Sequence, residues 1–236
     1  MAGADEERPD VDSHEQVYGL ARLLALSDGV FAFAMTLLVV QLLVPELGPG
    51  QVGQLGTKLL DQMPSYVSYL ISFAVISIYW FSHHRLFRYV RRWDVWLIAL
   101  NLGALLFIAV MPFPTAIMGR YGDQTVAVVI YAANLGSAGL YIWLMWWYGI
   151  RRHLLAPSLE QHAARQFRWR AFLTPAVFFL SIPVAFWQPR AAQASWGLIW
   201  LGIYVLSRPH RRVSNTRRNP LSPKPRKGHD GPGRAH

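Results

Sequence analysis

Residues 22–39 read Arg22-Leu-Leu-Ala-Leu-Ser27-Asp28-Gly-Val-Phe-Ala-Phe33-Ala-Met-Thr36-Leu37-Leu-Val39. The run is apolar enough for lipid, yet an arginine, a serine and an aspartate sit in its first third. An aspartate inside a membrane helix is costly and has to find donors in the bundle around it. On a helix each residue turns about 100°, which places Asp28 about 140° from Phe33. Gly29, Val30, Phe33, Thr36, Leu37 and Val40 all fall within about 60° of Phe33 and form one stripe. The charge and the stripe therefore face different neighbours. Arg22 and Asp28 lie about 120° apart and cannot pair along the helix. Partners for Asp28 are expected among Trp80, His83, His84 and Asn101, with Ser27 joining them. Ala25 and Gly29, four apart, suit a close helix approach. The plainer alternatives are that Arg22 reaches to the headgroups and that Asp28 caps a helix turn at the interface. The angles alone leave the stripe an ordinary lipid-facing or packing surface.

The rest of the chain has the composition that such a segment needs. Of its 236 residues 53% are hydrophobic and only 15% charged, with mean hydropathy +0.22. A soluble domain carries about 25% charged residues. Cysteine is absent, which excludes disulfides, thiolate metal sites and a cysteine nucleophile. The start of the chain is acidic and polar and lacks the basic, then apolar, pattern of a secretory signal.

A span needs about 20 mostly apolar residues. Six segments qualify: 19–44, closed by Pro45; about 65–82; 93 to about 116, with Pro112 and Pro114 at its far end; 125–149; 172–187, interrupted by Pro175 and Pro183; and 194–206. The expected fold is an all-α integral membrane protein with six transmembrane helices. An acidic segment, 1–18, precedes the helical domain, 19–207, and a basic tail, 208–236, follows it. Basic residues gather between spans two and three (Arg85, Arg88, Arg91, Arg92), between four and five (Arg151, Arg152, Arg165, Arg168, Arg170) and in the tail. The other loops hold Lys58, Arg120 and Arg190. This bias places both termini in the cytoplasm. It also accounts for the net charge of +10 without nucleic acid, for which the tail offers no aromatic platform. Rich in Pro and Gly and poor in apolar residues, the tail reads as disordered and suited to anionic lipid headgroups. No internal repeat is visible, so a symmetric pore would need several copies of the chain.

With these features in place, the run Arg22-x-x-x-Leu26-Ser27-Asp28 resembles the Arg-x-x-x-Phe-Ser-Asp signature of the transmembrane protein 175 family. The resemblance continues in the block Ser72–Phe87, with Trp80, His83 and His84, and in the block Asn101–Pro114. Together these blocks cover the first three spans, whereas spans four to six match in hydropathy only. The resemblance implies a potassium-selective channel without a TVGYG filter, a loop this sequence also lacks. It implies one six-helix unit per chain, a homotetramer around the first helix, and a bacterial plasma membrane. The family's constriction lies five residues after the motif's aspartate, at Phe33 here. Thr36 would face the pore, and Leu37 and Val40 would extend its lining. Two departures stand out: Leu26 replaces the motif's aromatic, and Phe33 is bulkier than the family's Ile or Leu.

On this reading the apolar ring blocks ions by dewetting. The polar residues Arg22, Ser27, Asp28, Trp80, His83, His84 and Asn101 anchor the back of the pore helix. Potassium is the permeant ion, and no cofactor is expected. His83 reads as a hydrogen-bonded structural group, with pH sensitivity as the second reading. Adjacent histidines point to different helix faces, so His83 and His84 make a poor metal chelate and no metal is expected. A proton-conducting channel and a secondary transporter are the alternatives; the latter would call for paired discontinuous helices. An enzyme would need convergent nucleophiles or ligands that the chain does not offer.

Overall fold

A computed structural model of the chain describes residues 8–50, 52–157 and 161–199. Every regular element among them is helical. The order is α1 (Arg8–Val40), a 3-10 turn (Val52–Gln54), α2 (Leu55–Asp61), α3 (Met63–Tyr89), α4 (Val95–Val110), α5 (Pro112–Tyr121), α6 (Thr125–Arg151), α7 (Gln161–Trp187) and α8 (Pro189–Ser195). Five stretches are long and apolar enough to cross a membrane: Tyr18–Val40, Met63–Tyr89, Val95–Tyr121, Thr125–Arg151 and Phe167–Trp187. The chain is thus a multi-pass membrane protein. Most of the expected sixth span, and the whole basic tail, lie outside the described residues.

Several helix ends differ from the sequence expectation, each for a local reason. α1 begins at Arg8, inside the acidic segment, and stops at Val40 rather than running on to Pro45. Its last turn tightens into i→i+3 bonds, from Gln41 N to Leu38 O and from Leu42 N to Val39 O, a common way to satisfy terminal carbonyls. The third span continues past its prolines. Met111 breaks it, and Pro112 then opens α5 at a first-turn position, where a missing N–H costs nothing. α7 runs unbroken through Pro175 and Pro183, so the expected interruption does not occur. Prolines are tolerated within membrane helices where neighbours and side chains serve the freed groups. Pro175 packs on Gly139 of α6.

α6 is the centre of the bundle. It packs on α4, α5 and α7 and buries Tyr131, Leu135, Ile142 and Trp146 almost completely. Small residues bring the helices together around it, as lipid-facing bundles require. Away from α6, Gly119 of α5 lies against the α3 backbone, where an added Cβ would stand 2.9 Å from Ser65 Cα. At the arginine-rich end the α3–α4 connection meets the α6–α7 loop. Arg91 N donates to Leu154 O at 2.9 Å and Ala156 N to Tyr89 O at 2.7 Å. Asp94 caps α4 through Leu97 N at 2.9 Å and accepts from Tyr148 at 2.6 Å.

Candidate functional site

The inner face of α1 is set by period. Ser27, Phe31, Ala34 and Leu38, spaced four, three and four apart, are all buried, as one face of a helix should be. Ser27 Oγ donates to Leu23 O at 2.9 Å, on its own helix, and accepts from Asn101 Nδ2 at 3.0 Å. Asn101 comes from α4 and is fully buried. Its Oδ1 lies 2.7 Å from His83 Nε2 of α3. With the amide nitrogen committed to Ser27, Oδ1 can only accept, so His83 carries its proton on Nε2. The imidazole sits between Phe31 and Phe87, at 5.5 and 4.5 Å between ring centres. Its Nδ1 has no partner among the described residues. One hydroxyl, one amide and one imidazole thus pin α1 to α4 and α3 inside an apolar layer.

Asp28 makes a separate contact. Trp80 Nε1 donates to Asp28 Oδ1 at 2.9 Å, and His84 stacks on the indole at 5.4 Å with the planes 26° apart. The structure therefore brings six of the seven expected network residues into two groups, Ser27–Asn101–His83 and Asp28–Trp80–His84. It leaves Arg22 out. That side chain is exposed, and its guanidinium lies 6.0 Å from the ring of Tyr18. Among the described residues the only ion pair joins Arg190 and Asp123, both exposed. The close helix approach expected at Ala25 and Gly29 is not made within the protomer. Both residues are exposed, and nothing lies within 4 Å of where a Gly29 Cβ would stand. The pair sits on the open side of α1.

The stripe lies on that open side too. Phe33 is 62% exposed and Val40 63%. Thr36 is exposed and Leu37 half-buried. Thr36 Oγ1 donates to Phe33 O at 2.8 Å. With its hydrogen turned to the backbone, the hydroxyl oxygen presents lone pairs outward, as an acceptor. A row of large apolar side chains with one outward-facing oxygen is suited to narrowing a passage and meeting a partly dehydrated cation.

Sequence reasoning missed a second polar cluster. Ser72 Oγ and Tyr131 Oη are 2.9 Å apart, Thr115 Oγ1 donates to Ser72 at 2.9 Å, and Ser68 Oγ donates to Thr115 O at 3.0 Å. This chain ties α3 and α6 to α5 just past the break at Met111. Single hydroxyls in apolar helices carry no pattern, and the four-residue step from Ser68 to Ser72 was the only signal. The rings around His83 were more legible: Phe87 stands four residues after His83, and Phe31 four after Ser27. Among the described residues no three His, Asp or Glu side chains gather to hold a metal.

The described residues thus form a bundle of membrane-length helices whose first helix is hooked on one side and open along an apolar stripe on the other. Residues 22–112, which include every stripe and network residue named above, match the family described as endosomal/lysosomal potassium channel TMEM175. A potassium channel of Streptomyces collinus is 38% identical over 186 residues, covering 76% of this chain and 89% of that one. The crystal structure of a lysosomal potassium-selective channel TMEM175 homolog from Chamaesiphon minutus superposes with a TM-score of 0.70 at 26% identity, covering 81% of this chain and all of that one. The endosomal/lysosomal proton channel TMEM175 of Homo sapiens is 25% identical over 160 residues, 67% of this chain and 31% of that one. The chain belongs to the TMEM175 family, a family of ion channels and not of enzymes.

Proposed function

We propose that the protein is a potassium-selective channel of a bacterial plasma membrane, with both termini cytoplasmic. In this reading four copies assemble with α1 innermost. Phe33 forms the constriction, and Thr36, Leu37 and Val40 line the path beside it. The observation that carries the reading is the two-sidedness of α1. Its hydrogen bonds to other helices and its buried side chains face the bundle, while Phe33 and Val40 stand more than half exposed.

An apolar ring of this kind excludes ions by dewetting. Opening then requires the phenyl rings to part far enough to admit water. Selectivity over sodium draws on the lower dehydration cost of potassium and on the outward oxygen of Thr36. The groups on the other side of α1 hold its rotation, and so decide which residues meet the axis. The basic tail, beyond the described residues, rests on anionic headgroups.

The test is ion flux from purified protein in liposomes under potassium and sodium gradients, with Phe33→Ala alongside. Potassium-selective flux that Phe33→Ala increases supports the reading and its constriction. Absence of flux from both proteins would overturn it. The name of the human relative favours one second reading, a proton channel. A reversal potential that follows the proton gradient rather than the potassium gradient would decide for it.

A further inference from the structure

The two connections at the arginine-rich end fold into one unit. Val90 and Leu155 form an antiparallel bridge between them, and Arg91 N and Arg92 N both donate to Leu154 O, at 2.9 and 3.3 Å. Leu154 reaches that place because the end of α6 turns back on itself. Leu154 N donates to Gly149 O at 3.0 Å, with His153 between them in the left-handed region at φ 55°, a common way to close a helix. The pairing gathers arginines that are far apart in the chain. Arg88, Arg91 and Arg92 come from one side, Arg151 and Arg152 from the other, and all of them are exposed.

The unit sets one acid against them. Asp94 is the single carboxylate of residues 88–94 and 148–156. It is already engaged, through Oδ1 with Leu97 N at 2.9 Å and through Oδ2 with Tyr148 Oη at 2.6 Å. None of these arginines makes an ion pair among the described residues. Two rest on rings instead: the Arg151 guanidinium lies 5.9 Å from the Trp147 ring, and that of Arg152 5.9 Å from the Tyr148 ring. Arg88 and Arg151 stand in the last turns of α3 and α6, where a cation also offsets the helix dipole. Arg91 and Arg92 lie outside any helix and have no such role. Exposed indoles mark the depth of the unit, Trp96 at 67% and Trp147 at 39%, since tryptophan favours the headgroup level of a bilayer.

We propose that this unit binds the headgroup phosphate of an anionic phospholipid in the adjoining leaflet, with guanidinium forks from both connections closing on it. A guanidinium presents paired donors that match a phosphate and gives up its water readily. The excess of positive charge favours a lipid of net negative charge over a zwitterionic one, whose ammonium would meet the same arginines. The site bears on α1. Trp93, between Arg92 and Asp94, lies against Gly19 of α1, and Asp94 caps α4, the helix that carries Asn101 to Ser27. A headgroup that draws the two connections together therefore steadies two attachments of α1 at once. The inference rests on the multi-pass fold and is independent of what the protein conducts.

The test titrates the purified protein in mild detergent with phosphatidylglycerol, and separately with phosphatidylcholine, and counts bound lipid by native mass spectrometry. The protein should prefer phosphatidylglycerol. Arg91→Gln, Arg92→Gln and Arg151→Gln should each weaken its binding about 5-fold. Arg120→Gln and Arg190→Gln, at the opposite end of the bundle, remove the same charge and should leave it unchanged. Arg91→Lys should recover only part of the loss, because an ammonium lacks the fork. Phosphatidylglycerol should also raise the melting temperature of the wild type more than that of Arg91→Gln. Equal affinity for the two lipids, or equal weakening by Arg120→Gln, would overturn the site. Full recovery with Arg91→Lys would overturn the fork contact, and displacement of the lipid by inorganic phosphate would overturn the lipid in favour of a soluble anion. None of these measurements reads flux, so their failure leaves the channel reading intact, and loss of flux leaves this one intact.

Discussion

α1 and α6 are both membrane-length helices, yet they are held in opposite ways. In the most apolar 18-residue stretch of α6, 50% of the residues are buried within the bundle, against 22% in α1. α6 is fixed by shape: rings, small residues and close packing on several sides. α1 is fixed by chemistry on one side only, through Ser27, Asn101, His83 and the Asp28–Trp80 bond. A helix packed on one side only has less area to hold it, so directional bonds take over. Polar groups in α1 are therefore a main part of how that helix is held, whereas in α6 they add to a helix already packed on several sides, as Tyr131 does toward Ser72.

The contrast can be broken by substitution, and stability should fall most where packing dominates. Trp146→Ala in α6 removes a fully enclosed indole and should cost about 3–5 kcal/mol, seen as a large loss of melting temperature in detergent. Gly119→Val forces side-chain atoms onto the α3 backbone at Ser65 and should cost about 1–3 kcal/mol; a neutral result would show that α5 shifts freely. Asn101→Ala leaves His83 Nε2 unpartnered and takes from Ser27 its donor, although Ser27 keeps its bond to Leu23 O, for about 1–3 kcal/mol, and Asn101→Asp should not restore it because the donor to Ser27 is gone. Asp28→Ala should change protomer stability less, and damage assembly or gating more than selectivity. Channels that assemble and conduct as wild type would remove the anchoring role. Phe33→Ala should be the mildest for the fold, within about 0.5 kcal/mol, and the strongest for flux. A large drop in melting temperature there, with flux unchanged, would reverse the comparison.

Much of the candidate site could be read from the order of residues. Asp28 demanded donors, and the residues offered for it included Trp80; Ser27, His83 and Asn101 were drawn to the same place. What the order could not give was the division into two groups, because Asn101 meets Ser27 and His83 together, and that depends on how three helices come together. Arg22 was misplaced for the same kind of reason. Spacing excludes a bond to Asp28 on the same helix but does not say that no other acid comes near. The paired small residues Ala25 and Gly29 allow a close helix approach, but permission is not contact, and the fold turns that side of α1 outward.

The sequence by itself determined the membrane class, the approximate helices and the two faces of α1, since these depend on composition, length and a period of 3.6 residues. It also determined that Asp28 needed a partner, since that follows from the cost of a charge in lipid. Only the tertiary structure decided that α7 passes unbroken through two prolines, that the third span breaks at Met111 and still goes on, and that His83 sits between Phe31 and Phe87. Each of these depends on groups far apart in the chain meeting at a particular distance, and in an apolar solvent it is close packing and hydrogen bonding, not hydropathy, that choose among helices which all equally prefer lipid to water.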